Sequence, residues 1–204
     1  MAGGQKWFRT VRGMTASTST ATSCASSLAL FELDTLEESA CDAYNLEHAQ
    51  AAITLYAGAR PADLPTASAA HGIDVRQDPA SQARELARRL GAGRKELVLA
   101  VCGQLPDAER GSALAQEEQA EWAGAFLREL RRHQEIERVL CAGRPGWEVG
   151  MAAAAIAQGV AVEATMPKGF AQRGISRVST PRLPWQLQAE IEHWARRLRL
   201  LEGG

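Results

Sequence analysis

The sequence is poor in several things that define whole classes of protein. Aromatic residues make up only 5% of its 204 residues, which argues against an all-β core built from large side chains. Four cysteines, at 24, 41, 102 and 141, show no CxxC spacing, which excludes a small disulfide scaffold and a structural zinc site. The four histidines, His48, His71, His133 and His193, fall in separate segments with no ligand or triad spacing, so no metal centre is expected. No GxSxG, HExxH or GxxxxGK[ST] occurs, which removes the serine-hydrolase, zincin and P-loop readings. Charge of one sign is lacking too: 23 Lys and Arg against 24 Asp and Glu leave a net charge of −1, so no global field recruits nucleic acid or an acidic membrane. The apolar stretches, Leu97–Cys102 among them, are far too short to span a bilayer.

What is present is abundant alanine and uneven local charge. Residues 1–30 carry Lys6, Arg9 and Arg12, no acid, and ten Ser or Thr. Such a segment buries too little apolar surface to offset its ordering entropy and is expected to be a disordered extension, or one that precedes a start at Met14. The same composition is that of an organelle transit peptide, although a cytoplasmic protein is the expectation; no apolar core of a secretory signal follows the positive charges. Residues 31–50 hold six acids (Glu32, Asp34, Glu37, Glu38, Asp42, Glu47) and no Lys or Arg. They read as the solvated face of helix between 35 and 57, with Thr35–Glu38 at capping-box spacing. Asp78-Pro79 reads as a helix start, and Ala83, Leu86, Ala87 and Leu90 give an amphipathic stripe closed by Gly91. Residues 31–93 are thus expected to be a helical region, with Gly91–Gly93 as a hinge.

Residues 94–204 read as a strand–helix–strand–helix–strand run. Leu97–Cys102 is continuously apolar, as in a parallel strand buried on both faces. A helix over 112–133, a strand over 138–142, a helix over 148–158 and a strand over 160–166 follow. The alternation implies right-handed crossovers and an α/β, doubly wound, Rossmann-like parallel sheet. An amphipathic helix, marked by Leu187, Ile191, Trp194, Ala195 and Leu198, closes the chain over 181–200. From Lys168 onward there are seven bases and three acids, which suits the helix terminus and makes nucleic acid a partner of second choice.

In such sheets ligands sit beyond the carboxyl ends of the strands. Three loops converge there, 103–110, 143–148 and 167–174. The middle one joins Gly143, Arg144 and Gly146 to a helix N-terminus starting near Trp147, a ready anion site. Cys102 and Cys141 end neighbouring strands and read as buried small hydrophobes rather than a redox pair. Trp147 is placed either to stack on a base or to anchor the helix in the core.

The segment Ala142-Gly143-Arg144-Pro145-Gly146-Trp147-Glu148, its Ala-rich helix, then Gly159-Val160-Ala161-Val162-Glu163 and Met166-Pro167-Lys168-Gly169-Phe170 resembles the SLOG superfamily. These are Rossmann-like nucleotide-binding domains related to DprA and to the LOG/lysine-decarboxylase-like proteins. The resemblance is to the YspA/YpsA type, G-G-x-x-G-x-D followed by a helix and G-[IV]-P-V-E, and covers about residues 95–170. Gly143, Gly146 and Glu148 match the second glycine, third glycine and acid; Ala142 stands for the first glycine, and Glu for the usual Asp. The P-G-G-x-G-T-x-x-E segment that carries the catalytic glutamate of the LOG enzymes has no counterpart after Phe170. The resemblance therefore implies a sensor or ligand-binding module for a nucleotide or nucleotide-derived molecule. The ligand-binding residues are Gly103, Gln104, Gly143, Arg144, Gly146, Trp147 and Lys168, with Glu148 on a ribose hydroxyl. The alternatives are an enzyme cleaving a nucleotide or phosphorylated metabolite, with Glu148 as catalytic acid/base, and a DNA-handling protein. No cofactor, metal or membrane partner is implied; a homo-oligomer is compatible with the sequence.

Overall fold

The computed structural model describes residues 27–57, 70–91, 96–103, 116–173 and 179–202. Six strands form one all-parallel sheet: β1 (Leu28–Glu32), β2 (Ala51–Tyr56), β3 (Ala70–Asp74), β4 (Glu96–Gly103), β5 (Glu135–Cys141) and β6 (Ala161–Met166), in the order β1-β6-β5-β4-β2-β3. The helices are α1 (Glu38–His48), α2 (Pro79–Leu90), α3 (Gln116–Leu130), α4 (Trp147–Ala157) and α5 (Pro184–Glu202). A short antiparallel pair, β7 (Ala171–Arg173) and β8 (Ser179–Pro181), precedes α5.

The expected core of the fold is present. β4, β5 and β6 are parallel neighbours, with α3 and α4 as their connections. α2 packs on α3, α3 on α4 and α4 on α5, whereas α1 packs chiefly on β4, β5 and β6. The topology explains the division. The steps β4→β5→β6 run one way along the sheet, and β1→β2 runs the other. Right-handed crossovers therefore carry α1 to the opposite face.

The N-terminal half departs from expectation. Residues 28–30, placed in a disordered extension, belong to β1, which pairs Leu28 with Val162 and Glu32 with Met166. Its five residues gain their stability from a partner far away in the chain, so nothing local announces them. The helix expected between 35 and 57 ends at His48, and Ala51–Tyr56 is strand β2, buried along all but its last residue. Alanines supply no signal to separate a buried strand from a helix, and Ile53 and Leu55 fit either period. Residues 31–93 hence supply two strands of the sheet as well as α1 and α2. The start of α2 is as read: Asp78 Oδ2 accepts from Ser81 N at 2.8 Å, with Pro79 at the first position.

The main core lies between the sheet and α2–α5, around Leu99, Val101, Phe126, Leu127, Met151 and Ile191. Each such side chain contributes about 1.5–3 kcal/mol by burial. The Ala-rich sequence explains how α4 fits. It is covered by α3, α5 and the sheet, Ala152–Ala155 are fully buried, and a Cβ on Gly150 would stand 3.2 Å from the Gln119 carbonyl. The α1 face is smaller and more polar, with Ala52, Val98, Ala100 and Leu140 at its centre. Among the described residues, no helix is long and apolar enough to cross a membrane.

Candidate functional site: a buried charge cluster at the carboxyl edge of the sheet

The loop between β5 and α4 reaches the carboxyl edge of the sheet through two glycines with positive φ, Gly143 at 65° and Gly146 at 95°. Between them Arg144 turns inward and is only 9% exposed. Its Nε donates to Glu148 Oε1 at 2.7 Å, and its Nη2 is hydrogen-bonded to the same oxygen. The other side of its fork meets Asp42 of α1, Nη1 to Oδ2 at 2.9 Å and Nη2 to Oδ1 at 2.7 Å. Arg144 thus ties α4, on one face of the sheet, to α1, on the other.

Glu148 is fully buried. Besides the guanidinium it accepts from Arg144 N at 3.1 Å and from Gly103 N, at the end of β4, at 3.0 Å. The helix dipole favours an acid here. Two backbone N–H groups at this edge, one of them in the loop read as an anion site, are thus satisfied by the chain's own carboxylate. Gly146 is held the same way: its N–H donates to Gln116 Oε1 at 3.0 Å, and its carbonyl accepts from Gln116 Nε2 at 2.9 Å. From the far side Arg182 Nη1 donates to the Gly143 carbonyl at 2.8 Å.

The electrostatics follow from burial and pairing. Asp42 is pushed up to about 6 by desolvation and by Glu148, against the pull of Arg144. Burial opposes the charge on Arg144, but Glu148 and Asp42 outweigh it and hold the guanidinium more firmly protonated than usual. Three free cysteines surround the cluster. Burial raises the Cys41 and Cys141 thiols to about 12 and Cys102 further still, with the Asp42 charge adding to all three. These are neutral, unreactive thiols. Cys141 faces the main core, while Cys102 alternates with Val98 and Ala100 on the α1 face, so the two do not face one another. Among the described residues no group of His, Cys, Asp or Glu has the makings of a metal site.

A further polar pair sits beside the cluster. Asn45, one turn along α1 from Asp42, accepts at Oδ1 from the Thr165 hydroxyl of β6 at 2.9 Å. Both residues are buried, and Asn45 Nδ2 has no partner among the described residues.

Of the residues singled out from the sequence, Gly103, Gly143, Arg144, Gly146, Trp147 and Glu148 come together at this edge. Trp147 is buried, edge-on to Trp122 at 5.6 Å, and anchors α4 in the core. Lys168, on a single 3-10 turn after β6, is exposed and paired with Asp34 at 2.8 Å. Gln104 and residues 105–110 lie outside the described residues, as do Gly174 and residues 1–26. Sequence reasoning missed Asp42, Asn45, Gln116 and Arg182. Asp42 was one of six acids in a row and carried no mark of its own; only the partnership with Arg144 distinguishes it.

Comparison with protein-family models, with curated proteins and with solved structures found no match to this chain.

Proposed function

We propose that the chain binds a nucleotide or nucleotide-derived ligand in the crevice beyond the carboxyl ends of β4 and β5, as a ligand-binding or sensor module. One observation carries this reading. Asp42, Arg144 and Glu148 form a buried ionic cluster beside Gly103, Gly143 and Gly146, at the edge where parallel sheets take their ligands. Buried ion pairs seldom stabilise a fold beyond what apolar residues of the same volume achieve. A carboxylate perturbed as Asp42 is, in such a place, points to a functional site. The resemblance of Ala142–Glu148 to the SLOG pattern supports the same ligand class. Within this reading Glu148 is a positioning residue, since both its oxygens are occupied by the loop it shapes. The test is a thermal-shift screen of the full chain against nucleoside mono-, di- and triphosphates and dinucleotides. A ligand at a hundred times its Kd stabilises the native state by about 2.7 kcal/mol, so a true ligand raises the Tm by several degrees. A flat response across the panel overturns the proposal.

A further inference from the structure

The Asp42 carboxylate occupies both Nη prongs of the Arg144 fork, in an end-on bidentate pairing of the kind with which arginine also grips phosphate. The two carboxylates on Arg144 are not equivalent. Glu148 is fully buried and fixed by two backbone N–H groups as well as the guanidinium. The Asp42 side chain keeps 23% of its surface open. It is carried by α1, the one described helix on its face of the sheet. Beside it Asn45 holds a buried amide N–H with no acceptor among the described residues.

We propose that Asp42 is an internal stand-in for a ligand oxyanion. The Arg144 fork is the anion seat, and a phosphate or similar oxyanion enters by displacing the Asp42 carboxylate, with Nδ2 of Asn45, one turn along α1 and unpartnered among the described residues, as a further donor. This rests on the ligand class proposed above and adds where its charged group is held. The exchange conserves charge pairing, because Arg144 trades one oxyanion for another while Asp42 returns to water. No covalent bond changes.

The chemistry around Asp42 makes it the weaker of the two partners. It faces Arg144 from the β5–α4 loop, Glu148 from α4 and Cys102 from β4, with Glu38 and Cys41 on its own helix, while Cys141 of β5 is turned to the other face of the sheet. Arg138 and Glu163, which also line this side of β5 and β6, are paired with each other at 2.9 Å. Two carboxylates thus share one guanidinium, and burial keeps Asp42 close to protonation at about 6. A proton or a competing anion releases it from the fork.

The experiment is titration calorimetry of the full chain, Asp42→Asn and Asp42→Asn/Arg144→Met with inorganic pyrophosphate, inorganic phosphate and AMP. Asp42→Asn is expected to bind pyrophosphate about tenfold tighter than the unaltered chain or better, as one charge-assisted contact is freed. The double variant is expected to lose that gain. Equal affinity in the single variant, or a gain that survives without Arg144, overturns the anion seat. Because Asp42→Asn can fail to fold, sulfate, whose charge is constant here, is also titrated into the unaltered chain. Its binding is expected to tighten about tenfold between about pH 7.5 and about pH 5, as Asp42 takes up its proton; no tightening overturns the seat. AMP held tightly but indifferent to Asp42→Asn would sink the seat and keep the nucleotide reading. AMP bound no better than phosphate, with both responding to Asp42→Asn, would do the reverse.

Discussion

Leu187 of α5 lies flat on Gly143: a Cβ at that glycine would stand 2.6 Å from the leucine Cδ2. Arg182, just before α5, holds the Gly143 carbonyl. The C-terminal helix is therefore part of the site's framework. Gly143→Ala is expected to destabilise the chain, through its φ of 65° and through the contact. The left-handed conformation alone costs about 1–2 kcal/mol. Leu187→Ala is expected to cost about 2–5 kcal/mol. In the double variant the clash disappears, so denaturant unfolding should show a sum smaller than its parts.

Glu148→Gln separates a positioning role from a chemical one. The amide carries two N–H groups toward a loop that already presents donors from Arg144 and Gly103. Losing one charge of a buried pair costs about 3–5 kcal/mol. The expected result is a large fall in urea midpoint, with any nucleotide affinity falling alongside. Full stability in this variant would contradict the geometry.

The stability of the chain should carry the signature of Asp42. Its native pKa, raised from 3.8 to about 6, means that the folded state holds a proton which the unfolded state has already lost. The Asp42 contribution is therefore fully present below pH 3.8 and disappears as the pH climbs through about 6. His71, lowered chiefly by burial, acts in the opposite direction below its ordinary 6.5. The difference between the unaltered chain and Asp42→Asn removes that background. This difference is expected to change between about pH 3.8 and 6 and to level off on either side of that window.

Cys41, Cys102 and Cys141 are expected to resist a thiol reagent at mildly alkaline pH in the native protein and to react fully once it is denatured. Burial and the neighbouring carboxylates keep all three protonated. Peptide mapping by mass spectrometry after brief alkylation resolves each position.

The part of the fold legible in the sequence is the part whose partners are consecutive. Leu97–Cys102 and Val139–Cys141 are apolar runs, Val162–Met166 alternates apolar with polar residues up to Pro167, and the three pair in chain order. β1, β2 and β3 were harder for definite reasons. β1 follows a Ser-rich stretch and pairs with β6, more than a hundred residues away. β2 begins with two alanines. β3, Ala-His-Gly-Ile-Asp, has one strongly apolar residue, Ile73. The glycines and Glu148 were legible as a site because a strand, a turn and a helix follow in order. Their internal satisfaction was not, because Gln116, Asp42 and Arg182 reach them from other elements.

The strand order has a consequence for how the protein comes into being. β1 leaves the ribosome first among the six strands of this sheet, and β6, with which it pairs, leaves last. α1 has little to dock on until β4, β5 and β6 exist. Contacts this distant along the chain delay folding. Asp42 therefore waits through synthesis of more than a hundred residues before Arg144 is made. The meeting of those two side chains is a late event, and it coincides with closure of the sheet by its own first strand.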